Sequence, residues 1–331
     1  MCYYSLNIFA KNIQKDLPMN YYIYGYTDKG PYRLHNEDAM LVNRVTVARP
    51  KGGFGSVCIA PLLAAVCDGV GGENAGELAS QICVSTLASV EYDSSVDLDR
   101  VIERIHNKII RTGVSGDSTI NMQTTLCLLA VDEYGSAACL NIGDSRMYRY
   151  VKGSIRQISK DQTYARFLYE KGEITSFKEL APEEQNAIVS SVGSVVQDPQ
   201  IDHFRFVTPF GEEEDDTVLI CSDGLSDFIT RDELEIAMKI TSMTFSEKLE
   251  ALCQLAIRNG STDNVSIVGI KPWQTPEQYE LLTGTPLSNK RDEDAVRAQM
   301  ECLEYQLRYE SMKLEELANK SFESIFGNDT E

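Results

Sequence analysis

Two segments of this chain share one form, an apolar run ending in Asp-Gly: LAAVCDGVGG at 63–72 and TVLICSDGLSD at 217–227. An aspartate that closes a hydrophobic strand, followed by a glycine free to take any φ, sits at a sheet edge where the backbone turns sharply. Gly143-Asp144-Ser145 follows another strand-like run, Thr262-Asp263-Asn264 precedes a fourth, and Asn36-Glu37-Asp38 precedes a fifth. One aspartate of this kind is a turn residue and no more. Five acidic segments gathered at one end of a sandwich repel one another unless a cation sits among them. Oxygen-only donors select hard ions, Mg²⁺ or Mn²⁺.

The charge balance points the same way. Fifty acidic residues against 31 basic ones give a net charge of −19. Nucleic acid needs a basic footprint and an anionic membrane surface needs basic clusters, so neither is an expected partner. The longest wholly apolar run, Val57 to Cys67, contains Pro61. It falls well short of the about 20 residues that span a bilayer. Residues 1–20 carry no basic start or sustained apolar stretch and read as a lead-in rather than a secretory signal. Nine cysteines, none in a CxxC pair, read as buried reduced thiols in a cytoplasmic protein.

From Tyr21 to about Ile270 the pattern is dense. β-rich runs occur at 21–27, 39–48, 63–68, 124–131, 137–142, 146–151, 203–208, 217–222 and 264–270. Ala75, Leu78, Ala79, Ile82 and Leu87 share one helical face, as do Leu98, Val101, Ile102, Ile105 and Ile109. Further helices are predicted at 162–172, 231–240 and 246–258. Strands come in consecutive clusters with helices inserted as pairs, which argues for an α+β fold of packed antiparallel sheets with helices outside. Residues 271–290 read as a linker and 291–331 as a charged helical extension.

The motifs YTDKGPYRLHNEDA (26–39), DGVGGENAGELAS (68–80), TTLCLLAVD (124–132), NIGDSRMYRY (141–150), DQTYARFLYEKGEIT (161–175), DDTVLICSDGLSDFIT (215–230) and STDNVSIV (261–268) occur in that order. Together they resemble the PP2C-type (PPM) metal-dependent protein phosphatases, in particular the compact bacterial branch, over about residues 21–270. The resemblance implies two packed antiparallel sheets with helices on both outer faces, and hydrolysis of phosphoserine and phosphothreonine in proteins, opposing a cognate Ser/Thr kinase. It implies two catalytic Mn²⁺ or Mg²⁺ ions and a weaker third. At matching positions Asp68 would bridge the two metals, Gly69 would lend its carbonyl, and Glu37 would ligate one of them. Asp223 and Asp263 would ligate the other, and Asp144 with Asp223 would hold the third. Asp38 would orient a water and Arg33 would grip the substrate phosphate. A planar guanidinium suits that task, since it binds two phosphate oxygens together. His35, His106 and His203 are too scattered for a catalytic triad.

Some positions depart from the family pattern. Gln123 stands where most relatives have Gly, Gln162 replaces the usual histidine after Asp161, and Val70 occupies the Asp-Gly-x-Gly turn. The segment 181–194 matches its counterpart poorly. None of these is a metal carboxylate; all are expected near the flap that shapes substrate access. The run Glu212–Asp216 reads as a solvated loop. Beyond the family region, Val296, Met300, Leu303, Leu307, Leu314 and Leu317 follow a heptad seam interrupted by Glu310 and Ser321. Its stripe needs a partner: the phosphatase domain, a second copy joined through 296–324, or another protein. The alternative to an active enzyme is a catalytically weak scaffold or regulator acting through that helix.

Overall fold

Strand β2 (Asp38–Val42) is buried throughout, and its side chains divide between two cores. Met40 and Val42 join Ile23, Val66, Leu129, Val218 and Val268, whereas Ala39 and Leu41 join Ala65, Leu128, Ile82 and Ile105. Successive strand residues point to opposite faces, so apolar material must lie on both sides of this sheet. The computed structural model describes residues 19–71, 75–114 and 121–285, and it supplies both layers.

One sheet has the order β10 (Ser154–Gln157), β9 (Arg146–Val151), β12 (Thr217–Cys221), β13 (Val265–Trp273), β1 (Asn20–Asp28), β4 (Lys51–Ile59). The other runs β11 (Asp202–Arg205), β8 (Ala137–Ile142), β7 (Leu126–Val131), β5 (Leu62–Val70), β2, β3 (Val45–Val47), with the short β6 (Gln123–Thr124) paired to β5. Every pairing is antiparallel. The first cluster fills the space between the sheets. The second lies under α1 (Ala75–Ala88) and α2 (Leu98–Val114), whose apolar faces are those the helical spacing predicts.

The outer face of the first sheet carries α7 (Phe245–Arg258), whose Phe245 and Leu249 pack on β13 at Gly269. A Thr244/Glu247 capping box starts this helix. Short helices α5 (Asp223–Ser226) and α6 (Arg231–Lys239) precede it, and α3 (Tyr164–Glu170) and α4 (Pro182–Gln185) lie between β10 and β11, in the segment 158–201 termed the flap. The αββα sandwich is therefore the fold that the strand and helix order implies. Among the described residues no helix is long and apolar enough to cross a membrane.

Several elements differ from the sequence expectation. The run 39–48 is broken into two strands by a turn at Asn43, where φ is 58°. Strand β4 was not anticipated, because Gly52, Gly53 and Gly55 are poor strand formers. Its partner explains two of them: a Cβ on Gly53 would fall 1.9 Å from the Tyr24 hydroxyl and one on Gly55 2.9 Å from the Tyr22 hydroxyl, so rings of the neighbouring strand occupy that space.

The segment expected to be a linker is structured over its first half. Strand β13 continues to Trp273, and α8 (Pro276–Thr283) follows with a Thr275/Gln278 capping box and Gly284 at its C-cap. Trp273 is buried and packs against Tyr279, its ring centroid 5.1 Å away. The acidic run is only partly solvated. Asp216 is fully buried against Arg149 at 2.6 Å, and Asp215 accepts from the amides of Lys152 and Gly153 in the β9–β10 turn. The heptad seam 296–324 and the rest of the helical extension lie outside the described residues.

Candidate active site

The β2–β5 register sets Asp38 directly opposite Asp68. Each residue lies at the end of an apolar strand, so the hydrogen-bonded ladder alone brings two carboxylates to the same edge of the sheet. Two tight contacts shape the backbone here. Gly69 N donates to the Glu37 carbonyl at 3.2 Å, and a Cβ on Gly69 would lie 2.1 Å from the Gly76 carbonyl oxygen. Only glycine fits, and its fit draws the start of α1 over Glu37 and Asp68.

The other sheet delivers the remaining acids. Asp223 opens α5 immediately after β12, and Asp263 lies just before β13. Ser222 ties the two sheets together: its hydroxyl donates to Asp38 Oδ2 at 2.8 Å and accepts from the Ser266 amide at 3.1 Å. Asn264 fixes the β1–β2 loop, its Oδ1 accepting from Glu37 N at 2.8 Å while its amide donates to the Lys29 and His35 carbonyls. Thr125 Oγ1 accepts from Asp68 N at 2.9 Å and shares a 2.8 Å hydrogen bond with Ser145, the residue after Asp144.

Burial and neighbouring carboxylates raise Asp38, Asp68, Asp144 and Asp223. Burial, with Asp263 and Asp223 opposite, pushes Asp38 up to about 7, although the Ser266 and Ser222 hydroxyls pull it down. Burial and Asp223 push Asp144 up to about 8, while burial, Asp263 and Asp227 push Asp223 up to about 6. Asp68 is raised well above the usual carboxylate range by burial and then by Asp38, Asp223, Asp144 and Asp263. Glu37 is raised by burial, against the pull of Arg33.

Among the described residues no three His, Cys, Asp or Glu side chains close on a common point at coordinating distance. The donor set nevertheless fits a hard cation. It is all oxygen, and the buried Asp38 Oδ1 and Asp223 Oδ1 have no hydrogen-bond partner among the described residues.

The sequence-selected acids lie at neighbouring strand ends: Asp38 opposite Asp68 in the β2–β5 register, Asp223 just after β12 and Asp263 just before β13. Asp144 is next to the Ser145 that binds Thr125, and the Glu37 carbonyl accepts from Gly69 N. Arg33 is at the same place, exposed, with Nη2 2.6 Å from Asp263 Oδ2. Thr125, Ser222, Asn264 and Arg146 were not singled out by the sequence. Arg146 binds Asp161 and Asp227 at 2.9 and 3.1 Å and donates to the Ser226 carbonyl, holding the β9 end, the flap base and α5 together. All four lie inside the family motifs, but a hydroxyl, amide or guanidinium has no periodicity that reveals its partner. His106 is buried in α2, its Nδ1 accepting from Gly193 N, and His35 is half exposed near Glu77. Neither is placed to act as a nucleophile's base.

Residues 59–260 match the protein phosphatase 2C family. The serine/threonine phosphatase stp of Listeria monocytogenes is 28% identical over 252 residues, 73% of this chain and 92% of that protein. The serine/threonine protein phosphatase PstP of Mycobacterium tuberculosis is 30% identical over 250 residues, 73% of this chain and 43% of that one. A crystal structure of a PstP catalytic domain with two manganese ions superposes with a TM-score of 0.58 at 28% identity, covering 77% of this chain and all of that one. With the sandwich, the convergent acids and a family match that extends over most of the chain, this protein is a member of the protein phosphatase 2C family.

Proposed function

We propose that this chain removes phosphate from phosphoserine and phosphothreonine in proteins at the acidic edge where Asp38, Asp68, Asp223 and Asp263 meet. The observation that carries the proposal is geometric: Asp38 stands opposite Asp68 in the β2–β5 register, Ser222 reaches Asp38 from the other sheet, and Arg33 lies against Asp263. Two Mn²⁺ or Mg²⁺ ions, when bound, supply an acidified water and neutralise charge on the phosphoryl oxygens. Asp68, Glu37 and the Gly69 carbonyl would hold one ion, and Asp68, Asp223 and Asp263 the other. Asp144 with Asp223 would hold a weaker third. Asp38 would orient the attacking water and accept its proton, with Ser222 fixing the carboxylate. Arg33 would grip the phosphate and orient it for in-line displacement.

The test is hydrolysis of phosphoserine and phosphothreonine peptides by the purified chain with and without Mn²⁺. Turnover that needs the ion supports the proposal, and full activity after exhaustive chelation overturns it.

A cognate Ser/Thr kinase and a cytoplasmic location complete the proposal. Buried free thiols such as Cys67, Cys83, Cys127 and Cys221 suit a reducing compartment. Self-association through 296–324 is the further proposal on partners. Light scattering of the full chain against one ending at Thr285 tests it, because a monomer in both cases removes the coiled coil.

A further inference from the structure

Gln162 is one of the positions where the chain departs from its family, and it is buried beside Asp144 rather than exposed on the flap. Its side-chain Oε1 accepts from Gly143 N at 2.8 Å, and its own backbone N donates to the Gly143 carbonyl at 3.0 Å. Asn141 Nδ2 donates to the same carbonyl at 3.1 Å. Both polar groups of Gly143 are therefore held, at a residue whose φ is +97° and where a Cβ would lie 2.7 Å from Thr125 Cγ2. On the other side of Asp144, Ser145 is pinned to Thr125. The backbone that carries the Asp144 carboxylate is thus fixed at both neighbours.

The rest of Gln162 faces the flap exit. Its Nε2 donates to the Gln200 carbonyl at 3.0 Å, and its carbonyl accepts from Val189 N at 2.8 Å. Gln200 N donates in turn to Ser190 Oγ. A primary amide accepts and donates at the same point, and so does a neutral imidazole. That equivalence explains how glutamine can stand where histidine is usual.

We propose that Gln162 is a positioning residue for Asp144, clasping the Gly143 turn so that the carboxylate is preorganised for a divalent cation, and tying that turn to the segment 188–200. This rests on the reading that Asp144 holds an ion.

The experiment is Mn²⁺ titration calorimetry on the full chain after chelation, with thermal melting and phosphopeptide kinetics alongside. Asp144→Ala should lose the weakest binding event. Gln162→Met keeps the volume and loses the acceptor; it should weaken that event by roughly 10- to 100-fold, the usual effect of losing a group that orients a metal ligand. The tighter events and KM should be unchanged while kcat falls, and Gln162→His should restore the weak event. A wild-type isotherm for Gln162→Met, with the weak event absent in Asp144→Ala, overturns the positioning role. A wild-type isotherm for Asp144→Ala overturns the reading beneath it. Equal weakening of every event marks general destabilisation and also overturns the role. Should Gln162→Met fail to melt cooperatively, Gln162→His decides alone: retention of the weak event supports the role and its loss overturns it.

Discussion

Arg33 and Asp263, 230 positions apart in the chain, meet with Nη2 2.6 Å from Oδ2. The pair is exposed, so it adds little to stability. Its meaning is spatial: the guanidinium proposed to grip phosphate lies against a carboxylate proposed to ligate metal, so a bound phosphate would arrive beside the ions. Arg33→Ala is expected to raise KM for a phosphopeptide by roughly 10- to 100-fold, matching about 1.5–3 kcal/mol for a charged hydrogen bond. The kcat should change far less. Arg33→Lys should not restore KM, because a point charge lacks the planar fork. Steady-state kinetics on both variants checks this, and an unchanged KM in Arg33→Ala would rule the role out.

Asp68→Asn and Asp223→Asn are nearly isosteric and, at alkaline pH where the raised carboxyls ionise, remove one charge each from the repelling set. Turnover should fall by more than roughly 100-fold, beyond the loss of an orienting neighbour. Melting without metal at alkaline pH should move up rather than down, since like-charge repulsion is relieved. A lowered melting temperature in both variants would contradict the electrostatic account.

The cluster also sets a pH dependence. Asp38, Asp144 and Asp223 are raised to about 7, 8 and 6, so the folded chain binds more protons than the unfolded chain. Their contribution to metal-free stability is complete below the ordinary aspartate pKa and is lost as pH rises through about 6 to 8. Cations compete with those protons. The rise in melting temperature on adding Mn²⁺ should therefore be small at about pH 5.5 and larger at about pH 8, a range set by these carboxylates. A rise independent of pH would show that they do not titrate together with the metal.

Ser222→Ala removes the hydrogen bond that lowers Asp38. Its acid limb in the pH–rate profile should move to higher pH, with kcat reduced and Mn²⁺ affinity retained. A profile that superposes on the wild type would separate Asp38 from the rate-determining proton.

Two truncations separate the core from the extension. Ending the chain after Pro272 removes buried Trp273 and its partner α8, and should cost about 3 kcal/mol or more of stability. Ending it after Thr285 keeps both and should preserve metal-dependent turnover. Denaturant midpoints for the two chains, with activity beside them, test the boundary.

The strands that carry Asp68 and lead into Asp223 were legible because an apolar run closed by Asp-Gly is a local signal, and hydrophobic period placed α1 and α2 for the same reason. Strand β4 was hidden because Gly53 and Gly55 make sense only against the Tyr22 and Tyr24 rings of the adjacent strand. The helix at Pro276–Thr283 was hidden by Pro276, which in fact begins it, in the favoured first-turn position. Asp216, embedded in an acidic run, gave no sign that it alone would be buried on Arg149.

By itself, then, the sequence determined most of the strand and helix order, the acidic residues at the strand ends and the family motifs, since each is written in contiguous residues. Tertiary structure decided which acids face which: Asp38 opposite Asp68 through one register, and Ser222 reaching Asp38 from the other sheet. It also decided that Gln162 turns inward to Gly143. A hydrogen bond and a Coulomb coupling depend on distances of a few ångströms between chain segments far apart in sequence, and only the packed sandwich fixes those distances.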